Sequence, residues 1–245
     1  MQITSLDNER VKKYNRLKEK KYRDQENQFI VEGDHLVEEA YRAGLVDEVI
    51  LEMGEECSFD VSKVFVTKEI IAKITTLESP PTILALCHKK EMKESLGKKI
   101  LILDEIQDPG NLGTMIRSSK AFHVDSIVLG EGCVDLYNPK VLRSTQGMIF
   151  HSNITTAKIE ELIPKLKKEN IVVYGTRVES GMDIRTIKKE EKEKFALIMG
   201  NEGNGVHQEI LELCDEYLYI PMSEEVESLN VAIATSILLY EFDRR

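Results

Sequence analysis

Three short runs of glycine and polar residues carry the strongest chemical signal in this 245-residue sequence. They are the segments 111–117 (NLGTMIR), 200–205 (GNEGNG) and 220–232, which begins with IPM and ends with SLNVA. Each run follows an apolar, strand-like stretch, and an open α/β sheet binds its ligand at the C-terminal ends of its strands. The order and spacing of the three runs therefore indicate an enzyme active site.

The first run follows a predicted turn at 108–110 (DPG) and begins a helix. A glycine-containing turn before a helix presents backbone N–H groups that suit a phosphate or another anion. Arg117, one to two turns into this helix, adds a planar cationic fork that can hold a phosphate or a carboxylate through two hydrogen bonds. The alternative for Arg117, taken alone, is a surface ion pair.

The second and third runs add a carboxylate and two capping residues. The run 200–205 is not a dinucleotide-binding fingerprint, because its glycine spacing differs and it lies late in its domain. Its glycines predict positive φ angles and close approach of the backbone to another group, and Glu202 stands on this constrained loop. Ser228 is the predicted N-cap of a last helix with one apolar face. Asn230, at the start of that helix, requires a buried partner or a ligand.

Apolar runs alternate with helical segments through the second half of the chain. The predicted strands are Ile100–Leu103, Ser126–Leu129, Ile171–Tyr174, Ala196–Met199 and Tyr217–Ile220. This alternation predicts an α/β fold with a mostly parallel sheet covered by helices on both faces. The first 90 or so residues predict a smaller α/β unit that opens with a basic helix from about Asn8 to Arg23. We expect domains at 1–92 and 99–245, joined by a linker at 93–98 within the lysine-rich stretch 88–99.

Charge and composition limit the class of protein. The net charge is −10, yet residues 1–25 hold eight Lys or Arg against four acids, with Tyr14 and Tyr22 among them. This segment is either a surface that follows a phosphate backbone or an exposed helix with scattered ion pairs. The four cysteines and five histidines are dispersed, which predicts neither a metal site nor disulfides and favours a reducing cytoplasm. No apolar run is long enough to span a membrane, and no signal peptide is apparent.

The three runs together resemble the motifs of the SpoU (TrmH-type) RNA ribose 2′-O-methyltransferases of the SPOUT superfamily. The matching elements are N-x-G-x-x-x-R, G-N-E-G-x-G and I-P-M followed by S-L-N-V-A, in the order of the family. The segment 138–143 (NPKVLR) with Gly147 resembles the family segment between the first two motifs. The segment 29–33 (FIVEG) and the basic helix before it resemble the substrate-binding domain of rRNA-modifying members.

The resemblance implies a C-terminal domain tied in a deep trefoil knot, S-adenosylmethionine as cofactor, and a homodimer formed through the catalytic domain. The implied reaction transfers a methyl group to a ribose 2′-hydroxyl of RNA, with rRNA favoured and tRNA as an alternative substrate. The implied catalytic residues are Asn111, Arg117, Glu202, Ser228 and Asn230. The implied cofactor-binding residues are Thr176, Gly200, Ile220 and Leu229, and the expected RNA-binding residues are Arg10, Lys12, Lys13, Arg16 and Arg143.

Two questions stay open at this level. A 2′-hydroxyl needs a base or an oriented proton acceptor, and a guanidinium is a costly base because its pKa exceeds about 12. Arg117 is therefore either the base itself or the clamp of an RNA phosphate while another group takes the proton. A non-catalytic RNA-binding or ribosome-assembly factor is the rival from another class, and a nicotinamide-dependent oxidoreductase lacks its fingerprint near the first strand.

Overall fold

The computed structural model describes residues 1–91 and 95–244, which form two compact units. The first comprises Met1–Glu91 and Asp135–His151, and the second comprises residues 95–134 and 152–244. The segment Asp135–His151 belongs to the first unit, although it lies within the stretch predicted as the catalytic domain. The predicted bounds 1–92 and 99–245 stay a prediction, and residues 93 and 94 of the predicted linker lie outside the described residues.

Twelve strands and ten α-helices are defined in the described part of the chain. The strands are β1 Gln2–Ile3, β2 Gln28–Glu32, β3 Val46–Glu52, β4 Ser62–Val66, β5 Ile83–His88, β6 Lys99–Leu103, β7 Ser126–Leu129, β8 Ile154–Thr156, β9 Val172–Thr176, β10 Met182–Asp183, β11 Phe195–Met199 and β12 Glu216–Tyr219. The helices are α1 Glu9–Arg16, α2 Lys20–Glu26, α3 Asp34–Arg42, α4 Lys68–Ile74, α5 Pro109–Ala121, α6 Pro139–Ser144, α7 Met148–His151, α8 Ile159–Lys168, α9 Gln208–Leu211 and α10 Val231–Asp243. Short 3₁₀ turns lie at Ile184–Thr186 and Lys189–Lys192. None of the helices in this part of the chain is long and apolar enough to cross a membrane.

The first unit is built on a five-stranded mixed sheet with the order β1-β4-β3-β5-β2. Strands β1, β4 and β3 run parallel, whereas β5 is antiparallel to both β3 and β2. Helices α1 and α4 bury Val11, Tyr14, Ile70 and Ile71 against this sheet. The prediction of a small N-terminal α/β unit agrees with this arrangement.

The prediction of one continuous basic helix from about Asn8 to Arg23 is wrong, because the helix is interrupted between Arg16 and Lys20. Arg23 explains the break: its Nη1 donates to the backbone carbonyls of Leu17 at 2.8 Å and Lys18 at 2.6 Å. These carbonyls lie beyond the end of α1 and would otherwise need helical partners. Arg23 is only 3% exposed and its Nη2 also pairs with Asp135 at 2.5 Å, so this cation stabilises the fold.

The second unit is built on seven parallel strands in the order β10-β12-β9-β11-β6-β7-β8. This confirms the predicted α/β class with its parallel sheet flanked by helices. Strands β6, β7 and β11 are buried almost throughout, which explains their continuous apolar sequences. The predicted strand Ser126–Leu129 is present with its predicted bounds, and the other four are present with ends shifted by one or two residues. The short strands β8 and β10 were not predicted. The trefoil knot stays a prediction.

The strand order of the second unit determines where a ligand can bind. The chain leaves β6 towards β7 and β8 on one side, whereas β11, β9 and β12 lie on the other side of β6. Such a reversal opens a crevice outside the carboxyl ends of the strands. The segments that follow β6, β9, β11 and β12 contain most of the predicted site residues. Helix α10 packs on α5, with the Ser118 and Ser236 hydroxyl oxygens 2.6 Å apart.

Candidate functional site

A chain of hydrogen bonds joins the three sequence motifs in the second unit. The Nδ2 of Asn111 donates to Oε1 of Glu202 at 3.0 Å, and the Nδ2 of Asn230 donates to Oδ1 of Asn111 at 3.0 Å. The paired residues are separated by 91 and 119 positions in the sequence. The fold therefore brings one predicted catalytic residue from each motif into a single cluster.

Helix ends fix two of these side chains. Asp108 caps α5 by accepting from the backbone N–H of Asn111 at 2.9 Å, and it thereby places Asn111 in the first turn. Asn230 caps α10 by accepting from the backbone N–H groups of Ala232 and Ile233. The prediction that Ser228 is this N-cap is wrong, because α10 begins at Val231. An amide is suited to the position, since its oxygen caps the helix while its nitrogen reaches Asn111.

Glu202 is held as a carboxylate acceptor. Besides Asn111, the backbone N–H groups of Asp108 and Gln107 donate to it at 3.0 and 3.3 Å. Burial disfavours the charged form, but the hydrogen bonds from Asn111, Asp108 and Gln107 outweigh it and hold the pKa of Glu202 below its ordinary value. Glu202 is therefore ionised at neutral pH and points its lone pairs at three donors.

The loop 200–205 folds back on itself, which explains two of its glycines. Asn201 and Gly205 exchange backbone hydrogen bonds of 2.9 Å in both directions. A Cβ at Gly200 would lie 2.0 Å from the Gly205 carbonyl carbon, so only glycine fits there. Gly205 has a φ of +72°, as the sequence predicts, but Gly200 and Gly203 do not have a positive φ, so that prediction is wrong for these two. A Cβ at Gly203 would meet nothing closer than 3.6 Å.

A cavity of about 400 Å³ lies at this edge of the sheet. All four predicted cofactor-binding residues line it, and so do two of the predicted catalytic residues: Thr176, Gly200, Ile220, Leu229, Glu202 and Ser228. Its wall combines leucine side chains with the backbone of the glycine-rich loop. A volume in the range of small-molecule sites, an apolar wall and converging backbone groups fit a nucleoside-containing cofactor such as S-adenosylmethionine.

Arg117 differs from the other predicted catalytic residues, since it does not line this cavity. It lies on α5 six residues after Asn111, which is about 9 Å further along the helix axis and on another face. Its side chain is exposed, and in the described part of the chain its guanidinium has no hydrogen-bond or ion-pair partner. The surface ion pair considered as the alternative for Arg117 is therefore not formed within this part of the chain.

The predicted RNA-binding residues lie in the first unit and most of them are paired. Arg10 contacts Glu48 at 2.6 Å, Lys12 contacts Glu9 at 2.8 Å, and Lys13 contacts Glu26 at 3.1 Å. The guanidinium of Arg16 stacks over the Tyr22 ring at 5.8 Å, and Arg143 donates to the Thr76 hydroxyl at 2.8 Å. Exposed ion pairs contribute little to stability and can exchange for phosphate, so the RNA-binding role of these residues stays a prediction.

Two features of the second unit were not predicted from the sequence. Arg177 directly follows Thr176 and lines the cavity. Asp104 is buried at the end of β6 and accepts from the backbone N–H of His207 at 2.8 Å, while His207 Nδ1 lies 2.9 Å from the same carboxylate oxygen. This contact raises the pKa of His207. A polar residue directly after an apolar strand is the signal that could have identified both. No group of three or more metal-ligating side chains occurs within residues 1–91 and 95–244.

Comparison with known families gives the class of the protein. The family model described as SpoU rRNA Methylase family matches residues 98–240, more than half of the chain. A second model, the MRM3-like substrate binding domain, matches residues 8–85. The chain therefore belongs to the SpoU rRNA methylase family and carries a substrate-binding domain in front of the methylase domain.

Individual relatives agree with this family. The chain is 41% identical over 250 residues to 23S rRNA (guanosine(2553)-2′-O)-methyltransferase RlmP of Bacillus subtilis (strain 168), covering 98% of each protein. A putative RNA methyltransferase of the TrmH family from Porphyromonas gingivalis superposes with a TM-score of 0.87 at 29% identity, covering 97% of this chain and 98% of that one. The AdoMet-bound rRNA methyltransferase from Sinorhizobium meliloti gives 0.87 at 28% identity, covering 99% of this chain and 97% of that one.

These findings confirm the predicted enzyme class. The chain is an S-adenosylmethionine-dependent RNA methyltransferase of the SpoU family. The nicotinamide-dependent alternative is thereby excluded, and tRNA is not favoured as the substrate.

Proposed function

We propose that this protein methylates the ribose 2′-hydroxyl of a guanosine in 23S rRNA. The observation that carries the proposal is the hydrogen-bonded cluster of Asn111, Glu202 and Asn230 beside a cavity lined by the glycine-rich loop. The relative RlmP, which is 41% identical over nearly the whole chain, is named for this reaction. The MRM3-like substrate binding domain supports an RNA target larger than the methylated nucleotide.

The cavity is assigned to the cofactor. Thr176, Gly200, Ile220 and Leu229 surround it from the ends of three strands and from the segment before α10. Backbone N–H and C=O groups of these residues bind the adenosine portion, and the leucine side chains cover its apolar faces. The cofactor supplies an electrophilic methyl group on a sulfonium.

The polar cluster is assigned to the substrate ribose. The side chains that orient the 2′-hydroxyl are Asn111, Asn230 and Ser228. Orientation alone can raise the rate of a displacement reaction by several orders of magnitude. Glu202 keeps Asn111 in place and remains ionised at neutral pH. Arg117, whose guanidinium has no partner in the described part of the chain, binds the RNA phosphate next to the reacting ribose through its bidentate fork. That phosphate or a nearby carboxylate would accept the 2′-hydroxyl proton, and the bound cofactor would supply the methyl group to the hydroxyl oxygen.

A homodimer formed through α10 is part of the proposal. Ile233 and Tyr240 are 52% and 56% exposed and, with Ile237, recur at helical spacing on the outer face of α10. Two large exposed apolar side chains on one helix face favour contact with a second copy. We expect wild-type protein to elute as a dimer in light-scattering chromatography and an Ile233→Asp, Tyr240→Asp variant to elute as a monomer. A monomeric wild type would contradict this part of the proposal. We also place the enzyme in the cytoplasm, where ribosomal RNA is accessible.

The direct test uses total RNA from cells that lack the gene for this protein. Incubation with the enzyme and S-adenosylmethionine should produce 2′-O-methylguanosine, detected by mass spectrometry of nucleosides from purified 23S rRNA but not from tRNA. Methylation of tRNA alone would favour the alternative substrate. Binding of rRNA with no methyl transfer under any condition would contradict the proposed reaction.

A further inference from the structure

Arg177 is a half-buried cation in the wall of the cofactor cavity. It directly follows β9, and its backbone N–H donates to the carbonyl of Leu218 in the neighbouring strand at 3.0 Å. The carbon of its guanidinium lies 3.8 Å from the centroid of the Tyr217 ring. The sheet therefore fixes where this side chain begins, and the aromatic ring fixes the plane of its charged end.

The guanidinium of Arg177 has no hydrogen-bond or ion-pair partner within the described residues. In the same part of the chain, the Nε and Nη2 of Arg185 donate to Asp183. Arg23 donates to two backbone carbonyls and to Asp135. A guanidinium carries five N–H donors, and a partly desolvated one needs acceptors. The guanidinium of Arg177 is therefore held in place by the Tyr217 ring and has N–H donors available for an anionic ligand.

The charge pattern of the cavity indicates which anion this is. Among the lining residues of the cavity, Arg177 is the one cation and Glu202 is the one carboxylate. Glu202 already accepts hydrogen bonds from Gln107, Asp108 and Asn111. A small ligand with its own carboxylate that enters this cavity therefore has one charged side chain available to receive that carboxylate.

We propose that Arg177 binds the α-carboxylate of the methionine portion of S-adenosylmethionine, an inference that rests on the assignment of this cavity to the cofactor. Arginine matches a carboxylate through two parallel N–H···O bonds, and the Tyr217 stack reduces the freedom lost on binding. The product S-adenosylhomocysteine keeps the same carboxylate. Arg177 thus stabilises the bound cofactor and the bound product alike, so its loss raises Kd and KM for the cofactor and leaves kcat at saturation unchanged.

Calorimetric titration tests this contact without reference to turnover. The proteins are the wild type, Arg177→Met, Arg177→Lys and the control Arg185→Met, each checked by thermal melting. The ligands are S-adenosylmethionine, S-adenosylhomocysteine and decarboxylated S-adenosylmethionine, which keeps the adenosine, the sulfonium and the amine. We expect Arg177→Met to weaken the first two ligands about ten- to fiftyfold and the decarboxylated ligand by less than about twofold. The affinity of Arg177→Lys for the first two ligands should lie between those of the wild type and Arg177→Met. Arg185→Met should bind all three ligands as the wild type does.

The possible failures are distinguishable. If Arg177→Met weakens all three ligands equally, the side chain only maintains the shape of the cavity and the inference is wrong. If cofactor binding is unchanged but binding of rRNA falls, Arg177 contacts a phosphate of the substrate and the inference is also wrong. If the wild type binds none of the three ligands, the assignment of the cavity itself fails, and this failure precedes any effect of Arg177.

Discussion

The cations of the basic N-terminal segment and the arginines near the candidate site of the second unit differ in whether they have acidic partners. In α1, Arg10, Lys12 and Lys13 form ion pairs with acids of their own unit. After β9 and on α5, Arg177 and Arg117 have no such partner in the described part of the chain. Arg177 is half-buried, and a half-buried donor without an acceptor is unfavourable unless a ligand satisfies it, whereas the exposed guanidinium of Arg117 is open to a ligand from solvent.

The comparison shows that the partners of a charge are more informative than the number of charges. Eight cations in residues 1–25 suggest an RNA-binding surface from the sequence, yet Arg23 is a core residue that ends α1. Arg10 is similarly tied to Glu48, which also accepts from the Tyr14 hydroxyl. Tyr14 itself is buried, and burial together with the Glu48 hydrogen bond raises the pKa of its hydroxyl. The unpaired arginines of the second unit lie where chemistry is expected.

The largest effect should come from Arg117→Lys. Lysine keeps the charge but lacks the planar fork, so the proposed phosphate clamp is lost. We expect kcat for methyl transfer to fall about 10²- to 10³-fold, with unchanged Kd for S-adenosylmethionine. Single-turnover transfer of a tritiated methyl group measures this, and Arg185→Lys is the matched control. Near-full activity of Arg117→Lys would contradict both proposed roles of Arg117, the phosphate clamp and the general base.

A smaller loss is expected from Glu202→Gln. The amide has one acceptor oxygen, so its NH2 group faces either the N–H of Gln107 or the N–H of Asp108 together with the Nδ2 of Asn111, and the negative charge is lost. We expect kcat/KM to fall about ten- to hundredfold because Asn111 loses its fixed position. The control Glu190→Gln changes an exposed carboxylate outside the site and should have no effect. Equal activities for the two variants would show that the polar cluster is not part of the reaction.

The RNA-binding role of the N-terminal segment predicts a salt-dependent effect. Reversing Lys12, Lys13 and Arg16 to glutamate should weaken rRNA binding about tenfold or more at low salt. It should also lower the slope of log K against log salt by about one for each RNA phosphate that the variant no longer neutralises. Reversal of Lys165, Lys168 and Lys189 in the second unit changes the net charge equally and is the control. If both triple variants bind rRNA with the same reduced affinity, net charge rather than a defined surface controls binding.

The smallest effect concerns the contact between His207 and Asp104. Because the hydrogen bond to Asp104 raises the pKa of His207 above 6.5, the stabilisation is complete below about pH 6.5. It is lost as the pH rises through the pKa of the folded protein. The difference in Tm between wild type and His207→Gln should therefore be larger at about pH 6 than at about pH 9. In an Asp104→Asn background the pH dependence of this difference should vanish; its persistence would implicate another group.

Most of the second unit could be predicted from its sequence, because apolar strands and glycine turns are local signals. The five longer strands and the three motifs fall where periodicity and turn residues indicate. The strands β8 and β10 have three and two residues, too few for any periodicity to be seen. Their existence depends on pairing with β7 and β12, which is tertiary.

The missed features share this dependence on distant residues. The break after α1 results from Arg23 and Asp135, which are 112 positions apart. The N-cap of α10 is Asn230 rather than Ser228, because the amide nitrogen of Asn230 donates to the side chain of Asn111, 119 positions away. Ser228 and Asn230 have similar capping preferences, so local propensity alone does not separate them. The motif resemblance named Asn230 as functional, and the fold adds the partner that holds it.

The assignment of the cavity to the cofactor is best tested by calorimetric titration of S-adenosylmethionine into wild type, Gly200→Ala and Gly203→Ala. A Cβ at Gly200 would lie 2.0 Å from the Gly205 carbonyl carbon and must displace the loop, whereas a Cβ at Gly203 meets nothing closer than 3.6 Å. We expect micromolar binding to the wild type and to Gly203→Ala, and loss of binding to a folded Gly200→Ala. Equal binding to all three proteins would mean that the cofactor does not bind at this loop, and the proposed cofactor site would be wrong.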